Sequence, residues 1–313
     1  MNTEHAARNV VVLGINGHLG AAVASAFAAA GWNVSGFGRS NKTKLAGVRF
    51  VEGDADDVGS LRAAIAGQDV IVNALNLPYD QWFEGRAEAQ LARVLEAARG
   101  SGATLLFPGN IYNYAASEQR ITPATPERPE TPRGAIRVRL EKRLEAAASE
   151  GGLRVIVVRA GDFYGPGTKA DWFDQLILRE AKRGRVTLAN HEIRHCWAYL
   201  PDLARALVRL AERRDELAPF ERFHFAGHFV SAGELFRAIE QQAGRKLKRV
   251  ATPWFLLTVM GCFNPVLREV VKMRYLFDNP MALEDPKLEA LLGPGFGTPF
   301  EAAVGATAAP FFA

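Results

Sequence analysis

A glycine-rich turn between two runs of regular structure constrains the fold of this chain most. The run Asn9-Val-Val-Val-Leu13 has the β-branched content of a buried strand, and an Ala-rich run at 18–30 has the composition of a helix. Three glycines, spaced three residues apart, lie between strand and helix at Gly14, Gly17 and Gly20. A further strand at 33–38 completes a βαβ unit.

Each glycine of this turn has a distinct expected task. Gly14 permits a sharp turn, Gly17 permits the backbone to approach a pyrophosphate, and Gly20 permits the helix to pack against the sheet. The first amide groups of the helix then face the phosphates, where the positive end of the helix dipole also lies. The turn predicts a dinucleotide site, with a tight turn that binds no ligand as the alternative.

Short apolar strands continue to alternate with helical runs up to residue 160. Unbroken apolar strands joined by helices are typical of a parallel sheet that is covered on both faces. We therefore expect an α/β chain with a doubly wound parallel sheet (Rossmann fold) and a smaller, mainly helical C-terminal part that binds substrate. The predicted dinucleotide-binding domain covers 1–160, and the chain is expected to return to this domain over 197–227. The predicted substrate-binding part covers 161–196 and 228–313. The predicted strands are 9–13, 33–38, 48–52, 69–74, 104–107, 153–159 and 222–225, and the principal helices are 18–30, 83–99, 137–149 and 202–214.

Composition limits the partners of the chain. Its 313 residues carry a net charge of +4 with scattered basic residues, so we do not expect it to bind nucleic acid. Two cysteines, Cys196 and Cys262, are too few for a disulfide framework or a four-ligand zinc site, and they favour a reduced cytoplasm. The first nine residues show no secretory leader, and no apolar run is long enough to span a membrane, so we expect a soluble protein.

Two segments have more than one interpretation. The apolar run Trp254–Phe263 is interpreted as a helix of the core or of a surface groove, with contact to a membrane interface as the alternative. The four prolines between Ile121 and Pro132 predict an extended surface loop, with a ligand for a proline-recognising module as the alternative.

The end of the second strand indicates which dinucleotide binds. An NAD site has Asp or Glu there to hold the ribose hydroxyls, but this chain has Arg39 and Ser40. A guanidinium can hold a 2′-phosphate through two hydrogen bonds, and the serine can add a third. We therefore expect NADP(H), with NAD possible and with a merely solvated Arg39 as the alternative.

Several motifs together resemble the extended short-chain dehydrogenase/reductases, the group that contains the NAD-dependent epimerases and dehydratases. They are Gly14-x-x-Gly17-x-x-Gly20, Gly53-Asp54, Pro108-Gly-Asn-Ile-Tyr112, Arg159-Ala-Gly-Asp-Phe-Tyr-Gly-Pro166 and Trp197-Ala-Tyr-Leu-Pro-Asp202. The resemblance covers most of 9–230 and implies an NAD(P)-dependent enzyme. The expected cofactor-binding residues are Gly14, Asn16, Gly17, His18, Leu19, Gly20, Arg39, Ser40, Asp54, Ala55, Ala74, Leu75, Pro108, Gly109, Asn110, Arg137, Ala160 and Gly161.

The chain departs from this family at the catalytic positions. The family uses a Tyr-x-x-x-Lys pair on the helix after the fifth strand, but none of the six tyrosines here has a lysine four residues later. Matching the helix by Glu141 puts Arg133 at the tyrosine position and Arg137 at the lysine position, while Pro108 stands where Ser or Thr belongs. Because the pKa of arginine exceeds about 12, Arg137 could hold a ribose hydroxyl or a phosphate but could not exchange protons.

Two other residues are candidates for the missing acid. Tyr112 follows the fifth strand and could protonate a carbonyl oxygen, or it could only pack. Asp162 follows the sixth strand in a loop that is expected near the nicotinamide, where burial could raise its pKa, or it could cap a backbone turn. His191 and His195 have the spacing of a helical metal pair, but they lie in a β-rich stretch, so we expect no metal; His195 is instead expected to line the substrate pocket.

Three functions follow from these observations. The first is an NADP(H)-dependent oxidoreductase that reduces a small carbonyl or activated double bond. The second is an NADP(H)-sensing regulator without turnover, and the third is a nucleotide-sugar epimerase or dehydratase, which the missing Tyr and Lys disfavour. The sequence leaves the oligomeric state open.

Overall fold

The computed structural model describes residues 8–167 and 171–312. The first seven residues, for which no secretory leader is expected, lie outside this range. The main sheet contains β1 (Asn9–Leu13), β2 (Asn33–Gly38), β3 (Val48–Glu52), β4 (Val70–Asn73), β5 (Thr104–Asn110), β7 (Arg154–Ala160) and β11 (Phe220–Phe225). Three smaller sheets contain β6 (Arg120–Ile121), β8 (Asp162–Tyr164), β9 (Arg185–Leu188), β10 (Arg194–Tyr199), β12 (His228–Ser231), β13 (Lys248–Ala251) and β14 (Ala282–Leu283).

The helices follow the expected alternation in the first half of the chain and then dominate its end. They are α1 (His18–Ala29), α2 (Val58–Ile65), α3 (Arg86–Ala98), α4 (Pro132–Ser149), α5 (Leu200–Glu212), α6 (Ala232–Ala243), α7 (Trp254–Gly261), α8 (Pro265–Lys272), α9 (Tyr275–Asp278), α10 (Pro286–Leu292) and α11 (Phe300–Ala308). A π-helical turn at Phe173–Ile177 follows β8. None of the helices in the described ranges is long and apolar enough to cross a membrane.

The main sheet is wholly parallel, in the order β11-β7-β5-β4-β1-β2-β3. The chain winds outward in one direction from β1 to β3 and then returns to β4 on the other side of β1. The expected doubly wound sheet is therefore confirmed. Its strand order reverses between β1 and β4, which is the position where such sheets open a crevice at their carboxyl ends.

Alternate residues of β1 face two separate cores. Val10 and Val12 pack with α1 and α5 on one face, whereas Val11 and Leu13 pack with α2, α3 and α4 on the other. This alternation follows from the two-residue period of a strand, and it explains why the run at 10–13 is apolar without interruption. The sheet is thereby held rigid beneath the crevice.

The C-terminal half builds its own apolar core around the small sheets. Tyr164, Phe173, Trp197 and Leu235 belong to this core, which α6 and α11 cover. Within 197–227, α5 packs on α1 and β11 extends the main sheet beside β7. The predicted domain division remains a prediction.

The structure corrects several boundaries. Helix α4 begins at Pro132 rather than at residue 137, because the hydroxyl of Thr131 accepts a hydrogen bond from the amide of Gly134 (3.2 Å) and proline is well tolerated in a first helical turn. Strand β5 continues through Asn110, so Pro108 and Gly109 lie inside it. The residues between β6 and α4 form an irregular loop, as the prolines predict.

One expectation about the second half is wrong, because Asp162 does not lie in a loop: it begins β8, where it pairs with Trp197 of β10. The segment 254–263 is helical over α7, as expected. Of its interpretations, the core helix is wrong, since Gly261 is the only buried residue of α7.

Candidate functional site

The glycine-rich turn has the close backbone contacts that the sequence predicts. Gly14 has φ +87°, and a Cβ there would lie 2.7 Å from the carbonyl oxygen of Ala74. A Cβ on Gly20 would lie 2.3 Å from the carbonyl oxygen of Gly14. Since any side chain at these two positions would separate α1 from the ends of β1 and β4, the turn can form only with glycine.

The N-terminus of α1 has no side-chain cap. Gly17 is the N-cap residue and provides no hydrogen-bonding side chain, so the amides at the start of the helix remain available to an anion. The side chain of His18 is already engaged: its Nε2 lies 3.0 Å from the carbonyl oxygen of Gly167 and its Nδ1 lies 2.9 Å from Asp171. We therefore expect the backbone of His18 and Leu19, rather than the imidazole, to face a phosphate.

Arg39 and Ser40 are exposed beside this turn at the end of β2. The side chain of Asn16 fixes their loop, because its Nδ2 donates to the carbonyl oxygen of Ser40 (2.7 Å) and its Oδ1 accepts from the amide of Lys42 (3.0 Å). No carboxylate within the described ranges pairs with Arg39. The guanidinium is thus free to bind an anion next to the glycine-rich turn.

The acidic residues after β3 differ in their hydrogen bonds and in their exposure. Asp57 caps α2, accepting from the amides of Gly59 and Ser60 at 3.0 Å each, and these bonds together with that of the Ser60 hydroxyl lower its pKa. Asp54 accepts from the amide of Asp56 (3.0 Å) and remains exposed beside Ala55. One of its carboxylate oxygens therefore remains open toward the end of β2.

The other side of the crevice consists of the ends of β4, β5 and β7. Ala74 and Leu75 follow β4, and Ala160 and Gly161 lie at the end of β7. The glycines here serve protein packing, because a Cβ on Gly161 would lie 2.2 Å from the carbonyl oxygen of Cys196 and one on Gly109 would lie 2.9 Å from Cγ of Arg159. The amide of Tyr112 donates to the side chain of Asn110 (3.1 Å) and fixes the chain as it leaves β5.

Arg133 and Arg137 lie one turn apart on α4 and both face the crevice. Arg133 is 1% exposed, and its guanidinium carbon lies 3.7 Å from the centre of the Tyr79 ring and 4.8 Å from that of Trp82. It also donates to the carbonyl oxygen of Tyr79. Arg133 is thus enclosed by aromatic rings, whereas Arg139, Lys142 and Arg143 of the same helix are exposed.

Arg137 lines a cavity of about 330 Å³ at the end of β4, together with Asn73, Leu75, Asn76 and Phe107. Its guanidinium carbon lies 4.4 Å from the centre of the Trp82 ring, and its Nε has no hydrogen-bond partner among the described residues. Burial lowers the pKa of Arg137 to about 10, which still leaves it charged at neutral pH. It is therefore a cation with an unused donor at the lysine position of the resembled family.

Asp162 and His195 form a hydrogen-bonded pair. The Nδ1 of His195 lies 3.0 Å from the carbonyl oxygen of Leu276, which can only accept, so Nδ1 is the donor in that contact. The Nε2 of the same ring lies 2.9 Å from Oδ2 of Asp162. The side chain of Asp162 is 21% exposed and that of His195 is 6% exposed.

The sequence predicted a role for Asp162 but not this pairing. The two residues are 33 positions apart and meet because β8 and β10 are neighbours in one sheet. The ring of Phe277 stacks on His195 with a centroid distance of 4.4 Å and fixes its orientation. No local sequence motif would have shown this arrangement.

Tyr112 lies near the same pair. Burial raises the pKa of Tyr112 well above its ordinary value, and the neighbouring Tyr79 and Asp162 raise it further. Its hydroxyl interacts with that of Tyr79. Tyr112 therefore holds its proton at neutral pH.

An apolar cavity of about 470 Å³, partly open to solvent, adjoins His195. Trp172, Trp197, Trp254 and Phe277 form aromatic walls, and His191, His195, Thr187 and Thr252 contribute the polar groups. His195 lines this cavity, and its predicted place in a substrate pocket remains a prediction. Such a lining favours a ligand with flat apolar surface and one or two polar atoms.

These features define a doubly wound α/β protein with a glycine-rich turn at the crevice of its sheet and an apolar cavity beside His195. Residues 10–226 match the NAD dependent epimerase/dehydratase family, so the chain belongs to this family of NAD(P)-binding, oxidoreductase-type enzymes. No curated protein matches the sequence at a significant level.

Solved structures with the same fold extend over the whole chain. A putative epimerase from Burkholderia cenocepacia J2315 is 18% identical, with 97% of this chain and 98% of that one covered and a TM-score of 0.78. UDP-glucose 4-epimerase from Brucella ovis, solved with NAD, is 20% identical over 98% of each chain, with a TM-score of 0.77. MoeE5, solved with UDP-glucose and NAD, is 18% identical over 96% of this chain and 97% of that one, with a TM-score of 0.76. At these identities the similarity shows the fold alone.

Proposed function

We propose that this protein is an NADP(H)-dependent oxidoreductase that reduces a small apolar compound. The group that is reduced is a carbonyl group or, alternatively, an activated double bond. The observation that carries the proposal is the hydrogen-bonded Asp162–His195 pair at the edge of an apolar, aromatic cavity. A reduction needs one proton donor at the substrate oxygen, and this pair is the best-placed donor near the crevice.

The residues around the glycine-rich turn fit the cofactor. The contacts of Gly14 and Gly20 bring backbone amides to the crevice, and the uncapped start of α1 is suited to a pyrophosphate. Arg39 would hold the 2′-phosphate, and Arg137 would donate to the nicotinamide ribose through its unused Nε. When bound, the reduced cofactor supplies a hydride.

The protein supplies the proton. The substrate oxygen would take a proton from the Asp162–His195 pair as the carbonyl group is reduced. Leu276 and Phe277 hold the ring in place for this transfer. Solvent would then return a proton to the pair through the exposed part of Asp162.

Substitution of Asp162 and of His195 tests this mechanism. We expect Asp162→Asn and His195→Phe each to lower kcat for NADPH oxidation by about 10²- to 10⁴-fold, because general acid catalysis contributes a factor of this size. NADPH affinity, measured by fluorescence titration, should change little. The substrate is found beforehand by screening aromatic and alicyclic ketones and aldehydes with the unmodified enzyme.

A carboxylate outside the site provides the control. Asp215→Asn removes the same charge from the exposed turn after α5 and should leave kcat unchanged. Full activity in both site variants would exclude this proton donor. Tight NADPH binding without turnover of any carbonyl compound would instead favour the NADP(H)-sensing regulator.

Family membership favours a second candidate, a nucleotide-sugar epimerase or dehydratase. Its chemistry removes a proton from a sugar hydroxyl, and the two positions that normally do this hold Arg133 and Arg137. UDP-glucose and UDP-N-acetylglucosamine are the substrates to test, with NAD and with NADP. Conversion of either sugar would establish this candidate in place of carbonyl reduction.

A further inference from the structure

Exposed apolar side chains are concentrated in one part of the molecule. Among the described residues, all large apolar side chains that are exposed lie between positions 255 and 266. They are Phe255 (85% exposed), Leu256 (53%), Val259 (45%), Met260 (45%), Phe263 (88%) and Val266 (39%). A contiguous apolar surface of this kind indicates an interaction site, because isolated exposed apolar residues are normal but clusters are not.

These residues lie on a well-formed helical hairpin made of α7 and α8, residues 254–272. The side chain of Asn264 caps α8 by accepting from the amide of Leu267 (3.2 Å). Arg268 of α8 donates to the last carbonyl oxygens of α7, at Gly261 (3.1 Å) and Cys262 (3.2 Å). This places a cation at the negative end of the α7 dipole.

Both helices of the hairpin are anchored on the protein body. Trp254, the first residue of α7, stacks on Trp172 with a centroid distance of 5.9 Å. In α8, the buried Glu269 lies 4.0 Å from the guanidinium of Arg133. Of the remaining residues of α7, Gly261 alone is buried, where it contacts α8, so the apolar side chains of α7 remain uncovered.

The segment that contains the hairpin is rich in basic residues. Residues 245–274 contain seven Lys or Arg and one acidic residue, Glu269. Three of these cations pair with carboxylates outside the segment: Lys246 with Glu240, Arg249 with Glu192 and Arg274 with Asp278. Glu269 is buried and pairs with Lys272 at 2.6 Å. Among the described residues, no carboxylate pairs with Arg245, Lys248 or Arg268, which leaves their charge available to an anionic partner.

We propose that the α7–α8 hairpin docks the protein on the surface of an anionic phospholipid bilayer. Phe255 and Phe263 enter the acyl-chain boundary, and basic residues of the same segment contact the headgroups. Each helix has eight residues, so the hairpin lies in the interface and does not cross the bilayer. A symmetric contact between two copies through this surface would bring two basic segments together, which disfavours a second copy as the occupant.

Vesicle sedimentation of the full chain without cofactor tests the proposal. We expect binding to vesicles of phosphatidylcholine with 30% phosphatidylglycerol, little binding to phosphatidylcholine alone, and weaker binding at about 0.5 M NaCl because salt screens the headgroup attraction. Phe255→Ser combined with Phe263→Ser should weaken binding to the mixed vesicles about tenfold or more. Arg245→Glu combined with Lys248→Glu should abolish the preference for the anionic lipid.

Thr258→Ser is the matched control, since Thr258 is exposed on the same helix, and it should bind like the unmodified protein. The phenylalanine variants should fold normally because the side chains are exposed, and a thermal melt checks this. Absence of binding to the mixed vesicles would overturn the proposal. So would a dimer in light scattering that the phenylalanine variant converts to a monomer without any vesicle binding. Neither outcome affects the proposed reduction, which is measured without lipid.

Discussion

At the scale of single residues, Arg39 decides the expected cofactor preference. We predict that Arg39→Asp weakens NADPH binding by about 10- to 100-fold, because a charged hydrogen bond to phosphate contributes about 1.5–3 kcal/mol. NADH has no 2′-phosphate, and an aspartate could accept from its ribose hydroxyls, so NADH binding should hold or improve. Fluorescence titration with both nucleotides measures the ratio.

Lys44→Asp makes the same change of charge in the same loop and provides the control. It should leave the ratio of the two affinities close to that of the unmodified protein, because Lys44 lies five residues further from the strand end. Equal weakening of NADPH and NADH by Arg39→Asp would show that Arg39 does not contact the 2′-phosphate.

The proposed mechanism gives Asp162 and His195 a joint role as proton donor that neither residue would have alone. Asp162 by itself is a half-buried carboxyl at the start of β8, and His195 by itself is a ring in an aromatic cluster. Their contact joins the two side chains beside the cavity, and the hydrogen bond to the carbonyl oxygen of Leu276 holds the ring in place.

At the scale of elements, two glycines of the turn between β1 and α1 are expected to have different roles, Gly20 in packing and Gly17 in ligand binding. We predict that Gly20→Ala lowers both stability, by about 1–3 kcal/mol, and cofactor affinity, because its Cβ would lie 2.3 Å from the carbonyl oxygen of Gly14. Gly17→Ala should retain stability, since Gly17 has φ −75° and its Cβ would make an ordinary contact at 3.4 Å. It should still weaken cofactor binding by occupying the approach of the pyrophosphate.

Urea unfolding and NADPH titration of both variants distinguish the two roles. Equal loss of stability in Gly17→Ala and Gly20→Ala would show that the turn is constrained only by packing. Unchanged cofactor affinity in Gly17→Ala would show that the pyrophosphate does not lie against this residue.

At the scale of the whole molecule, a buried ionic network joins α4 to two strands of the main sheet. Arg159 of β7 donates to Glu141 of α4 from Nε at 3.0 Å, and Arg222 of β11 donates to the same carboxylate at 3.1 Å. Arg159 also donates to the hydroxyl of Tyr114, which lies 2.9 Å from Nε2 of His224. Burial and the nearby Arg159 lower the pKa of His224 to about 3.

This histidine makes stability depend on pH. In the unfolded chain His224 takes up a proton near pH 6.5, whereas in the folded protein it stays neutral until about pH 3. The unfolded state therefore binds more protons between these values, and stability falls as the pH decreases from about 6.5, by up to about 1.4 kcal/mol per pH unit from this group. We predict that His224→Gln has a flatter dependence of unfolding free energy on pH between 4.5 and 6.5.

Urea unfolding at several pH values measures this slope. Tyr114→Phe is the control, because it removes the hydroxyl partner but keeps the titrating ring, so it should lower stability while retaining most of the slope. An identical slope in His224→Gln and the unmodified protein would mean that His224 is not held neutral.

Much of the fold was predictable because the responsible forces are local. The β-branched run 9–13, the spacing of the three glycines and the apolar runs that follow predict the strands, the turn and the doubly wound class without knowledge of distant contacts. Helix α4 begins five residues earlier than predicted because Thr131 caps it ahead of Pro132. Only the rings of Tyr79 and Trp82, more than fifty residues earlier, explain why Arg133 is buried.

The sequence by itself determined the doubly wound class, the dinucleotide turn and the loss of the Tyr-x-x-x-Lys pair, since each depends on residue types at fixed spacing. The tertiary structure alone decided three further matters: the pairing of Asp162 with His195, the enclosure of Arg133 by aromatic rings, and the exposure of the apolar helix α7. These depend on which distant strands and helices become neighbours. An apolar run has the same sequence pattern whether it is covered or left exposed, and only the packing of the rest of the chain decides between them.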